Sequence, residues 1–130
     1  MLIQWNPSFE IEHDRIDEQH RVFVELICDL SQAAGRNASR DRLQRILRQI
    51  HAYAMFHFIT EENIMLDVDY PQYESHRGDH QRLLGELVSI MGKHRNGQVP
   101  VQDIAEYAFR WFEEHAKTCD QRLANHLRGA

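Results

Sequence analysis

No run of apolar residues in this sequence approaches the roughly 20 that a membrane-spanning helix needs. The stretch from Met1 to Asp14 is too polar for a secretory leader. Cysteine is scarce. Cys28 and Cys119 are the whole supply, which excludes a disulfide framework and makes a reducing, cytoplasmic setting the expected one. Basic runs are missing as well: 15 Lys and Arg face 20 Asp and Glu, for a net charge of −5. Without an arm or stripe to neutralise phosphates, nucleic acid is excluded as a partner. Strand-like alternation, low-complexity tracts and internal repeats are also lacking, and the three prolines (Pro7, Pro71, Pro100) fall where periodic segments break.

What the sequence has in excess is histidine, nine in 130 residues, a composition that points to metal or to protons. The length suits one domain, here residues 1–130, with an ordinary hydrophobic content of 42%. An arm over residues 1–13 offers Trp5 and Phe9 as anchors. Asp14 or Asp17 is the expected cap of a first helix, over about 14–36, whose stripe is Ile16, His20, Phe23, Ile27, Leu30 and Ala34. Ser39 caps a second, over about 40–66, with Leu43, Ile46, Ile50, His57, Glu61 and Ile64. The third, about 72–95, carries Tyr73, His76, His80, Leu83, Leu87 and Ile90, and Pro71 fits its first turn. The fourth, about 101–127, carries Ile104, Ala108, Trp111, His115, Cys119 and Leu123. Short breaks between long amphipathic helices force neighbours antiparallel. The expected fold is all-α, an up-down-up-down four-helix bundle with an N-terminal arm.

Six ionisable residues interrupt those apolar stripes: His20, His57, Glu61, His76, His80 and His115. One histidine on such a stripe is ordinarily a hydrogen-bonded core residue. Several together with a carboxylate are satisfied most simply by metal, because an unpaired buried charge costs several kcal/mol. Early positions of odd helices meet late positions of even ones in an antiparallel bundle, so the six gather toward one end. His13, His51, His94 and His126 read as surface or bundle-end residues. Asp120 is undecided by spacing. At five residues from His115 it is turned away on an ideal α-helix, unless a π-helical turn widens the helix there. The nitrogen and oxygen donors exceed what one zinc ion takes and suit a pair of first-row metals, with iron leading. Counted with two bridging carboxylates, Glu61 and Asp120, and a shared oxygen bridge, the five histidines leave one position open on two six-coordinate ions, which invites a small diatomic ligand.

At this point the chain resembles the hemerythrin family over nearly its whole length. The resemblance rests on Trp5-Asn6, on Asp17-Glu18-Gln19-His20 and on His57-Phe58 with Glu61-Glu62. It continues in Tyr70-Pro71 before His76 and His80, and in Trp111 with His115 and Asp120. It implies that His76, His80 and His115 hold one iron and His20 and His57 the other. Glu61 and Asp120 would bridge them, with an oxo or hydroxo bridge beside, and Asp120 thereby joins the set. The implied function is reversible dioxygen binding, with Trp5, Phe58, Trp111 and Phe112 as candidates to line the oxygen pocket. Glu62, a further 100° round its helix, is not expected among the ligands. Phe112 and Ala116 depart from the aliphatic residues usual in the family, and Cys119 is uncommon there, reading as a small core residue or a thiol beside the site.

An oxygen carrier is therefore expected rather than an enzyme, because histidine-rich ligation suits stopping short of O–O cleavage and no further acid or base stands on the stripes. A diiron enzyme acting on nitric oxide or peroxide is the alternative, as is an oxygen or redox sensor working through another module. A monomer is the expected state, with an oxygen-consuming protein as the partner that would draw on it. Gly78, Gly85 and Gly92, seven residues apart on the outer side of the third helix, have no functional account.

Overall fold

A computed structural model describes residues 2–129. The chain enters through an extended arm with a 3₁₀ turn at Pro7–Phe9, started by Asn6, whose side chain accepts from the Ser8 amide at 2.9 Å. Helix α1 is Asp14–Gly35, α2 Arg40–Asp67, α3 Tyr73–Arg95 and α4 Val101–His115. After α4 comes a five-residue π-helical turn, Ala116–Asp120, and a last helix α5, Gln121–Leu127, continues beyond it. The fold is a four-helix bundle, in which α1 packs on α2 and α4, and α3 completes the ring between α2 and α4. No helix among the described residues is long and apolar enough to cross a membrane.

The termini of the helices follow local chemistry. Ser39 caps α2 by accepting from the Arg42 amide at 3.1 Å. Neither Asp14 nor Asp17 caps α1. Its cap is His13, whose Nδ1 accepts from the Ile16 amide at 3.2 Å. Asp17 is buried and reaches back to accept from the amides of Ile11 (2.9 Å) and His13 (3.2 Å), so arm and helix are tied reciprocally. Pro71 sits in the turn before α3 rather than in its first turn. Gly97, with φ +75°, adopts the left-handed conformation just beyond α3 that a side chain would resist. A side chain at Gly78, Gly85 or Gly92 would meet nothing within 4 Å, so this row faces open space.

The interior is layered. A large apolar cluster runs from Leu43 and Leu30 up to Phe23, Phe58 and Phe112. A small one, built on Ile11, Ile16, Met65, Tyr70, Leu123 and Ala124, closes the other end. Between the two lie His20, His57, Glu61, His76, His80, His115 and Asp120, all buried.

Candidate metal centre

The spacing of these residues on their helices decides what each can reach. His57 and Glu61, like His76 and His80, lie one turn apart and share a face. His115 and Asp120 are five apart, and the π turn Ala116–Asp120 brings the carboxylate back to the face the imidazole occupies. All seven side chains meet.

They form two overlapping groups: His76, His80 and His115 with Glu61 and Asp120, and His20 and His57 with the same two carboxylates. Within each group the donor atoms lie within 4.8 Å of one another. Both carboxylates straddle the groups. Glu61 turns Oε1 toward His80 (3.0 Å) and His76 (3.3 Å), and Oε2 toward His57 (3.1 Å) and His20 (3.5 Å). Asp120 turns Oδ1 toward His76 and His115 (3.0 Å each) and Oδ2 toward His20 (3.0 Å).

Every one of the five imidazoles presents Nε2 to this centre. Three are held in that orientation through the other ring nitrogen. His57 Nδ1–H donates to Gln19 Oε1 at 2.7 Å, His80 Nδ1–H to Glu62 Oε2 at 2.9 Å, and His115 Nδ1–H to Asp79 Oδ2 at 2.6 Å. Two rings are also fixed by aromatic faces. Phe58 stacks on His80 with centroids 3.9 Å apart, and Trp111 on His115 at 4.4 Å.

Protonation follows from burial and from the two carboxylates. Burial pulls His20 and His76 down, but contacts with Asp120 and Glu61 outweigh it and leave both raised to about 9. His115 is likewise raised well above its ordinary value, with Asp120 overcoming its burial. His57 is lowered. Burial dominates there, and the neighbouring His20 repels a second charge. Burial would raise Glu61 and Asp120, yet the surrounding histidines hold both well below the usual carboxylate range.

The donor set fits metal. Both oxygens of Glu61, Oδ2 of Asp120 and Nδ1 of His20 are fully buried and make no well-formed hydrogen bond, although imidazoles stand at ion-pair range. A buried acceptor left in that condition costs about 1–3 kcal/mol, more when charged. Cations seated between the imidazoles and carboxylates would satisfy these oxygens. Ligation requires His20 and His76 to release protons that the metal-free chain keeps up to about pH 9. Affinity for Co²⁺ in the metal-free protein will therefore rise with pH toward 9, by about tenfold per unit for each proton displaced. Calorimetric titration in buffers of different ionisation enthalpy will register those protons; a pH-independent affinity with no proton release would contradict this reading.

The aromatic neighbours are only partly those anticipated. A cavity of about 10 Å³ beside His20, His57, His115 and Asp120 is walled by Phe23, Phe58, Trp111 and Phe112. Trp5, a lining candidate, lies one layer out. The arm keeps it outside the helices, where it packs on Phe9 (5.4 Å) and reaches only the far side of Phe112 (6.4 Å). Phe23 takes the place at the wall, and its stripe position gave it no distinction from other core residues. In the sequence Gln19 and Glu62 stand only among the marks of the resemblance, with Glu62 set aside as a ligand, and Asp79 does not stand out at all. Each directly neighbours a ligand in sequence, but each acts on a histidine of another helix, so only the folded chain reveals the pairing.

Other histidines are placed by packing. His94 is buried at the far end of the bundle beside Gln44, and His126 packs on Tyr70 at 5.1 Å. Cys119 is half-buried rather than core, and hydrogen bonding to His115 pulls its thiol down.

The comparisons with known proteins agree with this geometry. Residues 12–127 match the family model described as the hemerythrin HHE cation binding domain. The chain is 24% identical over 127 residues to a bacteriohemerythrin of Stenotrophomonas maltophilia, covering 98% of this chain and 82% of that one. It is 25% identical over 126 residues to a myohemerythrin of Theromyzon tessulatum, covering 97% and 85%. A crystal structure of wild-type hemerythrin superposes with a TM-score of 0.86 at 23% identity, over 95% of this chain and 96% of that one. With the family model spanning nearly the whole bundle and a buried histidine–carboxylate cluster at its centre, this chain belongs to the hemerythrin family.

Proposed function

We propose that this chain holds two iron ions and binds dioxygen reversibly, for storage, delivery or scavenging. His76, His80 and His115 would hold one ion, His20 and His57 the other, with Glu61 and Asp120 shared between them. One observation carries the reading: each of these two carboxylates offers one oxygen to each group of histidines. A diferrous pair, when bound, supplies the two electrons that dioxygen takes up and gives back.

The chain's own residues decide what happens around that exchange. Phe23, Phe58, Trp111 and Phe112 exclude bulk water from a cavity with room for about one small molecule, since about 10–15 Å³ is the least that holds a water. That cavity borders both imidazoles of the two-histidine group and only one, His115, of the other. Phe58 and Trp111 keep His80 and His115 from rotating out of register. Among the described residues, the only ionisable groups at the cavity wall are proposed ligands, so no spare acid stands ready to deliver protons to a reduced product. This supports a carrier over an enzyme. The likeness spans nearly the entire chain, and residues 1–130 are read as one working domain.

Absorption spectroscopy of the iron-loaded protein tests the proposal. A charge-transfer band should grow on exposure to oxygen and vanish when oxygen is removed, through repeated cycles. Irreversible conversion to the diferric form, with multiple turnover of nitric oxide or peroxide by a reductant, would replace the carrier with a diiron enzyme.

A further inference from the structure

The hydrogen bonds behind the ligands follow a rule of succession. Gln19 on α1 holds His57 on α2, Glu62 on α2 holds His80 on α3, and Asp79 on α3 holds His115 on α4. Each helix orients one histidine of the next, and His76, the second site histidine on α3, enters none of these bonds. The series does not close: Nδ1 of His20 on α1 is buried and has no partner among the described residues.

The acceptors differ in charge. Both carboxylates stand behind the three-histidine group, on His80 and His115 but not His76, while the two-histidine group has one neutral amide and one histidine with no acceptor. Each carboxylate is itself anchored by an arginine of α3, Arg77 on Glu62 (3.8 Å) and Arg82 on Asp79 (2.7 Å). Those guanidiniums are partly exposed, on side chains 47% and 65% accessible, so solvent weakens their opposition to the buried end of each contact. The amide of Gln19 is fixed the other way round, donating from Nε2 toward Thr60 Oγ1 at 3.5 Å. A carboxylate behind an imidazole makes the ligating nitrogen more basic, and an amide does so far less.

We propose that Glu62 and Asp79 are positioning residues that make the three-histidine site the tighter and more easily oxidised of the two, so that the ions load in a fixed order. The proposal rests on the two-ion reading above. It gives the centre a built-in asymmetry: the ion held by His20 and His57 would be the weaker-held one, and both of those imidazoles line the cavity, with only His115 from the other group. The ion held by His76, His80 and His115 would be the first to be oxidised.

Glu62→Gln and Asp79→Asn each keep an oxygen acceptor for the histidine while removing the charge, and Gln19→Glu adds a charge behind His57. Metal-free protein is titrated anaerobically with Co²⁺, whose absorption counts ions per chain, and the iron-loaded protein is measured electrochemically. The wild type should bind in two resolved steps. Glu62→Gln and Asp79→Asn should weaken the first step about 10–100-fold and leave the second in place. Gln19→Glu should tighten the second step. The potential of the more easily oxidised ion should rise in the two neutralised variants, and that of the other ion should fall in Gln19→Glu, a tenfold change in the oxidised-to-reduced ratio being 59 mV for one electron. Two ions bound with wild-type steps and potentials in Glu62→Gln and Asp79→Asn would overturn the proposal alone. So would a shift of Gln19→Glu in the same direction as theirs. A wild-type count of one ion per chain would overturn the two-ion reading beneath it.

Discussion

Glu61→Ala should bind no more than one metal ion per chain where the wild type should bind two, measured by elemental analysis after anaerobic loading and desalting. Glu61 is fully buried, and its two oxygens divide between the groups, Oε1 toward His80 and His76 and Oε2 toward His57 and His20. Without it, His76, His80 and His115 still face Asp120 and can keep one ion. His20 and His57 are left with a single shared oxygen, too few donors to hold a second beside it. A count of two in this variant would refute the shared carboxylate.

The same substitution has an effect in the absence of metal. In the wild type, His20 and His76 are raised to about 9 against an ordinary 6.5. The folded chain thus keeps protons that the unfolded chain releases. The stability this contributes is complete below pH 6.5 and is lost as pH rises through about 9. Glu61 is one cause of both shifts, so Glu61→Ala should flatten that fall in urea denaturation of the metal-free protein.

Phe112→Ala should cost the metal-free protein about 3–5 kcal/mol, the usual loss for a buried phenylalanine cut to alanine. That is a large share of the roughly 5–15 kcal/mol that holds a domain together. Phe112 is 2% exposed and is gripped on several sides, by Phe9 at 5.3 Å, His20 at 5.0 Å and Phe23 at 6.0 Å. Those neighbours belong to the arm and to α1, so they cannot all collapse onto the space left behind. Urea denaturation should show a lower midpoint with an unchanged slope. The ring is also a wall of the cavity beside His20 and His57, so its loss admits water and should speed oxidation of the iron-loaded protein in air. A loss below about 1 kcal/mol would show that the site repacks around the smaller residue.

How much of this was legible beforehand depends on the kind of physics each feature uses. The stripes on α1 to α3 could be read directly, because a helix packed on one face repeats its apolar residues at every turn. His57 with Glu61 and His76 with His80 stood out for the same reason. His115 with Asp120 did not, since α-helical spacing turns the two apart, and resemblance to a family was needed to join them. The π turn at Ala116–Asp120 is what that spacing demanded. Gln19, Glu62 and Asp79 were illegible for a different reason. Their meaning lies in which helix lies alongside which, and periodicity within one helix carries no trace of it. The cap of α1 failed on local competition: Asp17 prefers two backbone amides of the arm, which leaves His13 to start the helix.

The layered interior has a consequence for the life of the chain. The small cluster around Ile11, Met65, Tyr70 and Leu123 is parted from the main core by a sheet of ionisable groups. Apolar cohesion does not run through that sheet, so this end of the bundle should be the part that opens first when the centre is empty. Bound metal would close it by mass action on the folded state alone. Metal supply would thereby be converted into resistance to proteases, with unloaded chains cut before loaded ones.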